Sequence, residues 1–486
     1  MENNNVSAAH AAQTSELSPE IMDPAMPDFA AHPGRSAWSG KWMFILSAAA
    51  SAVGLGNMWR FPYLAAKYGG GMFILTYLVL VFTFGVSMLL LETALGRKTG
   101  QSVIGAFSSF GKQYKFIGIL SAAVPFIITP YYCIIGGWVL KYCVSYLTNA
   151  PADMADGGGF FVDFITSSQG SFVFMLLFML AAFLVVSLGV KGGIERANMV
   201  MMPLLIVAAI GIAIYVSTFP GAADGIAYYF TPDFSKFSPE LVIGALGQMF
   251  YSLSLAMAIM VTYGSYLDKK ENLPKSVAWI GGADLTVSTI AGLMIVPAAF
   301  IVMGSAEAVA AKSGPSLMFI TLPSVFQEMG GVASIIGFIF FTLVLFAALT
   351  SAISLIEACV SIVSDGAGIT RRGALTACVV VIVLAGVFIN LGYNGLSFIQ
   401  PLGEGSSLLD LADFISNSVL MPIVALLTLV FVGWIIKPQT LIDEIKISSP
   451  FKAESAWVIM VKYVSPVLVV VILVAYVAMQ FGFFAV

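Results

Sequence analysis

Two long apolar stretches of this sequence are interrupted by residues whose oxygen atoms could bind a cation. In the first, the run Ser51-Ala-Val-Gly-Leu-Gly-Asn57 holds two glycines and a side-chain amide, and Arg60 follows three residues later. In the second, Gln248 is followed by Ser252 and Ser254. Buried amides and hydroxyls need partners, and oxygen ligands suit a hard cation. Glycine and serine are also common where membrane helices pack closely, so packing is the competing explanation.

The apolar part of the chain offers little for catalysis. Both histidines, His10 and His32, precede it, and the four cysteines stand at no metal-ligand spacing. General-base catalysis by histidine and zinc binding are therefore not predicted. A channel would need rings of ligands along a continuous pore, whereas the polar residues here are expected at a single level within the membrane. The sequence thus predicts neither an enzyme nor a channel.

The composition is that of a membrane protein. Of 486 residues, 59% are hydrophobic and 10% are charged, whereas soluble domains have about 25% charged residues. Apolar runs of about 20 residues, the length that crosses a bilayer, occur eleven times. They cover 41–67, 70–96, 116–147, 171–190, 195–216, 239–266, 275–303, 332–363, 373–391, 409–436 and 456–484. We therefore predict an all-α polytopic membrane protein.

Residues 1–38 precede the first span and are polar, acidic and rich in Ala, Ser, Asn and Pro. The segment lacks the basic start and apolar core of a signal peptide, so we predict a mostly disordered cytosolic tail. With the N-terminus inside, cytoplasmic loops carry fourteen lysines and arginines, and outer loops carry four, namely Lys67, Lys141, Lys236 and Lys312. This asymmetry fits the positive-inside rule for a cell-membrane protein. The odd helix count then places the C-terminus outside.

The two interrupted spans are the first and the sixth, which lie five helices apart. Backbone groups freed by a broken helix cannot face lipid, so they must line a cavity. Interruptions at corresponding positions of two five-helix halves are typical of an inverted repeat with its binding site at the membrane midplane. We therefore predict that helices 1–5 and 6–10 form two such halves.

The run from Ala52 to Pro62, A-V-G-L-G-N-M-W-R-F-P, is followed by Lys67-Tyr-Gly-Gly-Gly71. Together they resemble the signature of the neurotransmitter:sodium symporter (NSS) family of LeuT-type transporters. The resemblance begins at Arg35 and covers nearly all of the remaining chain. It implies the LeuT fold, a 5+5 inverted repeat plus an eleventh helix, with residues 39–486 as the transporter domain. It also implies sodium-coupled amino acid import by alternating access.

The resemblance implies two sodium sites, each built from oxygen ligands as a hard cation requires. In the first, sodium and the substrate carboxylate would meet the Ala52 carbonyl, Asn57, Ser252 and Asp284. In the second, the ligands would be the carbonyls of Ala50, Val53 and Ala347 and the hydroxyls of Thr350 and Ser351. Asp284 departs from the Asn that is frequent in the family, and its charge is expected to tighten sodium binding.

The resemblance also indicates residues for a chloride site. The residues that match the chloride ligands of the animal members are Tyr77, Gln248, Ser252 and Ser288. Ser288 lies one helical turn after Asp284, whose carboxylate could supply the charge that chloride supplies elsewhere. We favour chloride independence, while chloride binding stays open. Glu92 is a further buried carboxylate, expected to anchor the unwound part of helix 1.

Gly54 bears on the substrate class. Monoamine carriers of this family hold an Asp at that position to pair the substrate amine, whereas Gly54 leaves room and free N–H groups for an amino acid's carboxylate. Met257 stands where leucine-type members have a Phe, and its flexible thioether suits large hydrophobic or aromatic ligands, although a Met is more often simply a core residue. The implied substrate residues are Ala52, Gly54, Gly56, Ile128, Tyr132, Tyr251, Ser254, Met257, Ser351, Ala352 and Leu355.

The resemblance also implies two gates. Arg60 and Asp413 would pair across the outer vestibule. Arg35 and Trp38 would latch the inner side, next to Asp365 and Tyr266. Exposed ion pairs are often energetically trivial, but an arginine inside the membrane rarely lacks a function.

Helix 5 contains Gly193 and Pro203, which together weaken its cytoplasmic end. Unwinding there would hydrate the second sodium site and release its ion. A simple packing kink is equally compatible with these residues, because membrane helices tolerate Pro and Gly well.

Two other functions share this pattern. The chain could carry another small carboxylated amine, or it could be a transport-inactive amino-acid sensor on the same fold. The predicted partners are an amino acid, sodium and the lipid bilayer, and no basic stripe suggests nucleic acid.

Overall fold

The computed structural model describes residues 37–148, 151–167, 169–303, 305 and 316–482. Helices stand at all eleven predicted spans, and we number them α1 to α11. Two are broken: α1 into α1a (Lys41–Ala52) and α1b (Gly56–Lys67), and α6 into α6a (Pro239–Ser252) and α6b (Ile259–Gly264). The others are α2 (Gly71–Thr99), α3 (Lys112–Thr148), α4 (Gly170–Ser187), α5 (Val190–Ser217), α7 (Leu273–Ile301), α8 (Gly330–Ala367), α9 (Arg371–Tyr393), α10 (Leu408–Ile435) and α11 (Glu454–Gln480).

The predicted all-α architecture is confirmed. Within the described ranges the only β pairing is an isolated bridge between Gly70 and Pro232. The predicted disorder of the tail stays a prediction, because residues 1–36 lie outside the described part of the chain. Short helices that the hydropathy pattern did not predict connect the spans: Val103–Ser108, Pro151–Met154, Gly159–Thr166, Ala222–Phe230, Leu322–Glu328 and Gln439–Lys446.

The packing places both broken helices in the interior. α3 packs along α8, and α1a lies against α5, α7 and α8. α2 packs closely on α6b through two glycines. A β-carbon at Gly96 would overlap the Val261 carbonyl, and one at Gly264 would overlap the Thr93 carbonyl. This close approach brings Glu92 of α2 next to the break in α6.

A buried ion cluster joins α2 to the connection between α10 and α11. Glu444, on the helix Gln439–Lys446, accepts a hydrogen bond from Arg97 Nε at 2.8 Å and pairs with Lys269 Nζ at 2.9 Å. The side chain of Arg97 is fully buried and that of Glu444 is 3% exposed. Because Lys269 lies in the loop after α6b, the cluster fixes three segments that are far apart in the sequence.

Candidate functional site

The break in α1 depends on two glycines and an amide. Val53 takes an extended conformation after α1a ends, and the two halves of α1 meet at an angle of 55°. Asn57 Oδ1 accepts a hydrogen bond from the Gly54 N–H at 2.8 Å. A β-carbon at Gly54 would lie 2.7 Å from Ser351 Oγ, and one at Gly56 would lie 3.0 Å from the Tyr251 ring. Both glycines therefore permit close contact with neighbouring helices.

The break in α6 is backbone held in an unfavourable conformation. Ser254, Ala256 and Ala258 have φ angles of 53°, 58° and 63°, a left-handed region that non-glycine residues rarely adopt. Glu92 accepts a hydrogen bond from the Ala256 N–H at 2.8 Å. The prediction that Glu92 anchors α1 is therefore corrected, because the partner observed for its carboxylate belongs to α6.

The two breaks contact each other through the Ser51 carbonyl. It accepts hydrogen bonds from Ser254 Oγ at 3.2 Å and from Ser351 Oγ at 3.1 Å. One carbonyl freed at the end of α1a thus joins α1, α6 and α8. Ser51 was not among the predicted site residues, although it precedes Ala52 directly.

The residues predicted for the first sodium site lie together around Asp284. Ser252 Oγ donates to Asp284 Oδ1 at 2.6 Å, and Asn57 Nδ2 donates to the same oxygen at 2.8 Å. Asn57 Nδ2 also lies 2.9 Å from Ser252 Oγ and 2.8 Å from Ser288 Oγ. Asn57, Asp284 and Ser288 are completely buried. Three oxygens thus converge on one NH2 group, and a cation at this point would be surrounded by oxygen ligands once the amide turned its own oxygen inward.

The residues predicted for the second sodium site lie where α1a packs on α8. All five are buried: Ala50, Val53, Ala347, Thr350 and Ser351. The Thr350 hydroxyl is 3.0 Å from the carbonyls of both Phe346 and Ala347, in its own helix. The Ser351 hydroxyl reaches across to α1 at Ser51. These residues therefore face the same helix contact, while their hydroxyls are engaged in hydrogen bonds.

The residues that match a chloride site are divided between two roles. Tyr77 Oη donates to Asp284 Oδ2 at 2.7 Å, and Ser252 donates to the other carboxylate oxygen. Gln248 instead donates from Nε2 to the Gly56 carbonyl at 3.1 Å. The carboxylate of Asp284 thus occupies hydroxyl donors that would otherwise be available to an anion.

A small cavity lies between the two breaks. All of the predicted substrate residues except Ala352 line it, together with Ser51, Leu55, Asn57, Ser252 and Ile259. Tyr132 Oη is 3.4 Å from the Leu55 N–H. The cavity leaves about 20 Å³ for the centres of water molecules, which is room for roughly one water. The site is therefore contracted, and it must widen to admit an organic ligand.

A larger vestibule of about 500 Å³ lies on the other side of Tyr251, which lines both spaces. Arg60 and Asp413 both line the vestibule. Within the described ranges they form no ion pair: Arg60 donates to Tyr476 Oη at 3.0 Å, and Asp413 accepts from Asn417 Nδ2 at 2.6 Å. The predicted contact between Arg60 and Asp413 is therefore absent from this structure.

At the opposite end of α6, the predicted inner-gate residues are packed together. Trp38 Nε1 donates to the Tyr263 carbonyl at 3.0 Å, and its ring lies 6.1 Å from that of Tyr266. Asp365 accepts a hydrogen bond from the Ser102 N–H at 2.7 Å. Arg35 lies outside the described residues, so its pairing with Asp365 stays a prediction.

A further buried carboxylate at this end was not predicted from the sequence. Glu357 is fully buried, accepts from Tyr266 Oη at 2.7 Å and pairs with Arg371 at 2.5 Å. A glutamate inside a long apolar span is a signal that could have identified this position.

The chain is similar to known proteins over most of its length. The model of the family described as "Sodium:neurotransmitter symporter family" matches residues 35–154 and 165–482. A protein of Haemophilus influenzae described as an uncharacterized sodium-dependent transporter is 32% identical over 467 residues, covering 91% of this chain and 98% of its own. A Bacillus subtilis protein with the same description is 33% identical over 444 residues, covering 90% and 96%. The crystal structure of MhsT in complex with L-phenylalanine is 34% identical, with a TM-score of 0.80 over 91% of this chain and 100% of that one.

Proposed function

This chain belongs to the sodium:neurotransmitter symporter family and has its LeuT fold, and we propose that it imports a neutral amino acid with a large hydrophobic or aromatic side chain. It is a multi-pass, sodium-dependent membrane transporter and not an enzyme. The substrate, the two sodium sites and the orientation with the N-terminus inside are our proposals.

The observation that carries the amino-acid proposal is the polar end of the cavity. The Leu55 N–H and Tyr132 Oη lie 3.4 Å apart next to Gly54. These two donors suit a carboxylate, which sodium at the Asn57 and Asp284 cluster would neutralise. A β-carbon at position 54 would already lie 2.7 Å from Ser351 Oγ and 3.1 Å from Tyr132 Oη, so a side-chain carboxylate has no room there. The site thus favours a substrate that brings its own carboxylate.

The apolar part of the cavity lining supports a large apolar side chain. Ile128, Met257, Ile259 and Leu355 line it, and no charged group stands among these four. The related MhsT was solved with L-phenylalanine. Because the cavity is contracted, the flexible Met257 side chain would have to move as the ligand enters.

The proposed mechanism is alternating access. Sodium stabilises the outward-open form, and amino acid binding then lets Arg60 close on Asp413. Helices α1, α2, α6 and α7 would rock against the others to open the inner side, driven by the inward sodium gradient. Each ligand shifts the equilibrium only by the difference between its affinities for the two states. Transport is proposed to be independent of chloride, because Asp284 already engages Tyr77 and Ser252.

Uptake into proteoliposomes tests this function. Radiolabelled L-phenylalanine should accumulate with an inward sodium gradient, should not accumulate with potassium, and should still accumulate when gluconate replaces chloride. Loss of uptake in gluconate would refute chloride independence alone. A sensor would bind the amino acid without accumulating it. A thermal-shift screen of the twenty amino acids and of small carboxylated amines, in sodium and in potassium, identifies the substrate class.

A further inference from the structure

The outer-gate arginine has a partner on the last helix of the fold. Arg60 Nη2 donates to Tyr476 Oη at 3.0 Å, and Nη1 lies 3.4 Å from the Gly247 carbonyl. Tyr476 belongs to α11, which stands outside the ten helices of the inverted repeat, and it lines the same vestibule as Arg60 and Asp413. A residue from the eleventh helix therefore contacts the proposed gate directly.

Gly247 makes that contact possible. A β-carbon at position 247 would overlap Tyr476 Oη, so any side chain there would push the tyrosine away from Arg60. Gly247 lies inside α6a, where glycine weakens a helix relative to alanine. The close approach of Tyr476 explains why a glycine stands at this position in the helix.

Asp413 is held by other groups in the same arrangement. Its Oδ1 accepts from Asn417 Nδ2 at 2.6 Å, and Asn417 Nδ2 also lies 3.1 Å from Tyr131 Oη. Each member of the proposed gate pair thus has its own partner in this structure. Closure requires Arg60 to leave Tyr476 and Asp413 to reorient.

We propose that Tyr476 competes with Asp413 for Arg60, so that α11 sets the balance between the open and the closed outer gate. The proposal rests on the proposed function, in which Arg60 closes on Asp413 over the substrate. A hydrogen bond to a charged guanidinium is stronger than one between neutral groups. Because closure breaks the hydrogen bond between Arg60 and Tyr476, that bond lowers the population of the closed state. The apparent substrate affinity is reduced by the same factor.

Tyr476→Phe tests the proposal, because it removes the hydroxyl and keeps the ring. We expect the apparent affinity for L-phenylalanine in sodium to rise about three- to tenfold. Gly247→Ala should act in the same direction from the opposite side of the contact. Tyr463→Phe is the matched control, because Tyr463 lies on α11 too but is 58% exposed and packs on Trp434.

A second measurement needs no substrate. Ser418 lines the vestibule, and the four native cysteines are buried, so a Ser418→Cys variant can be labelled selectively with a charged methanethiosulfonate. In potassium, where no sodium stabilises the open form, Tyr476→Phe should slow this labelling and Tyr463→Phe should not. Unchanged or faster labelling in Tyr476→Phe would overturn the proposal. Absence of phenylalanine binding in every variant would instead refute the proposed substrate, and the labelling rates would still decide the role of Tyr476.

Discussion

Glu92 on α2 accepts a hydrogen bond from the Ala256 backbone N–H at 2.8 Å, so a carboxylate of one helix caps the break of another. The capped segment contains three non-glycine residues with positive φ, each at a cost of about 1–2 kcal/mol. Local sequence therefore does not favour the break by itself. A contact from a neighbouring helix stabilises it.

Replacing Glu92 measures how much that hydrogen bond stabilises the protein. Glu92→Gln keeps an oxygen acceptor of the same length, whereas Glu92→Leu leaves the Ala256 N–H buried without a partner, at a cost of about 1–3 kcal/mol. We expect the leucine variant to melt at a lower temperature in detergent and to lose sodium-dependent phenylalanine binding, and the glutamine variant to keep both. Equal losses in the two variants would show that the charge matters and the hydrogen bond does not.

The limits of the sequence are clear at these same residues. Hydropathy located all eleven spans, and the spacing of Gly54, Gly56 and Asn57 predicted the break in α1, because these signals are local. The partner of Arg60 lies 416 residues away, and that of Arg97 lies 347 residues away. Sequence periodicity does not predict contacts between residues so far apart. These contacts can be identified only when the packing of the helices is known.

Asp284 is expected to set the ion dependence. Asp284→Asn removes a charge and retains an oxygen, so sodium affinity should fall by about tenfold or more, since charges are poorly screened in a buried site. Transport should become dependent on chloride, because Tyr77 and Ser252 would lose the carboxylate that they now contact. Uptake at varied sodium, in chloride and in gluconate, measures both effects.

Asn57→Ala is the control for that charge. It deletes an oxygen ligand without changing the charge, so sodium binding should weaken with no rescue by chloride. If Asp284→Asn transports normally in gluconate at unchanged sodium dependence, Asp284 does not belong to the ion site.

Met257 is expected to influence the choice of side chain. It lines the contracted cavity and is 4% exposed. Met257→Phe puts a rigid ring into the proposed side-chain pocket, so phenylalanine, tyrosine and tryptophan should lose more affinity than leucine or alanine. Competition against radiolabelled uptake gives the ranking. Met199→Phe, at a position that is 46% exposed, should leave the ranking unchanged, and an equal loss for all ligands in Met257→Phe would remove Met257 from the pocket.

The cluster around Glu444 is expected to matter for stability. Glu444→Gln leaves the buried Arg97 guanidinium without a counter-charge, which costs about 3–5 kcal/mol. Glu454→Gln breaks the partly exposed pair with Lys446 at 2.6 Å, worth about 0–1 kcal/mol. Melting temperatures in detergent should therefore fall strongly for the first variant and little for the second. A similar small change in both would mean that water reaches Arg97.

Asn198 gives the last prediction, which concerns the N-terminal end of α5. A π-helical turn at Val190–Ile194 opens this helix, and Pro203 lies within it. Asn198 stands between them, fully buried, and its amide makes no hydrogen bond to any residue that the structure describes. A buried amide without partners costs about 1–3 kcal/mol, and this penalty would be relieved if α5 unwound and admitted water.

Asn198→Leu keeps the branching of the side chain at Cγ and removes the polar group. We expect a higher melting temperature and slower sodium-driven uptake, because the packed form of α5 gains stability while its hydrated form loses a polar contact. Asn390→Leu is the matched control, since Asn390 Oδ1 accepts a hydrogen bond from Ser171 at 2.8 Å. Loss of this hydrogen bond should lower the melting temperature. If Asn198→Leu is less stable than the parent, the amide has a structural role in the packed helix. If it is more stable but transports at the parent rate, unwinding of α5 does not limit transport.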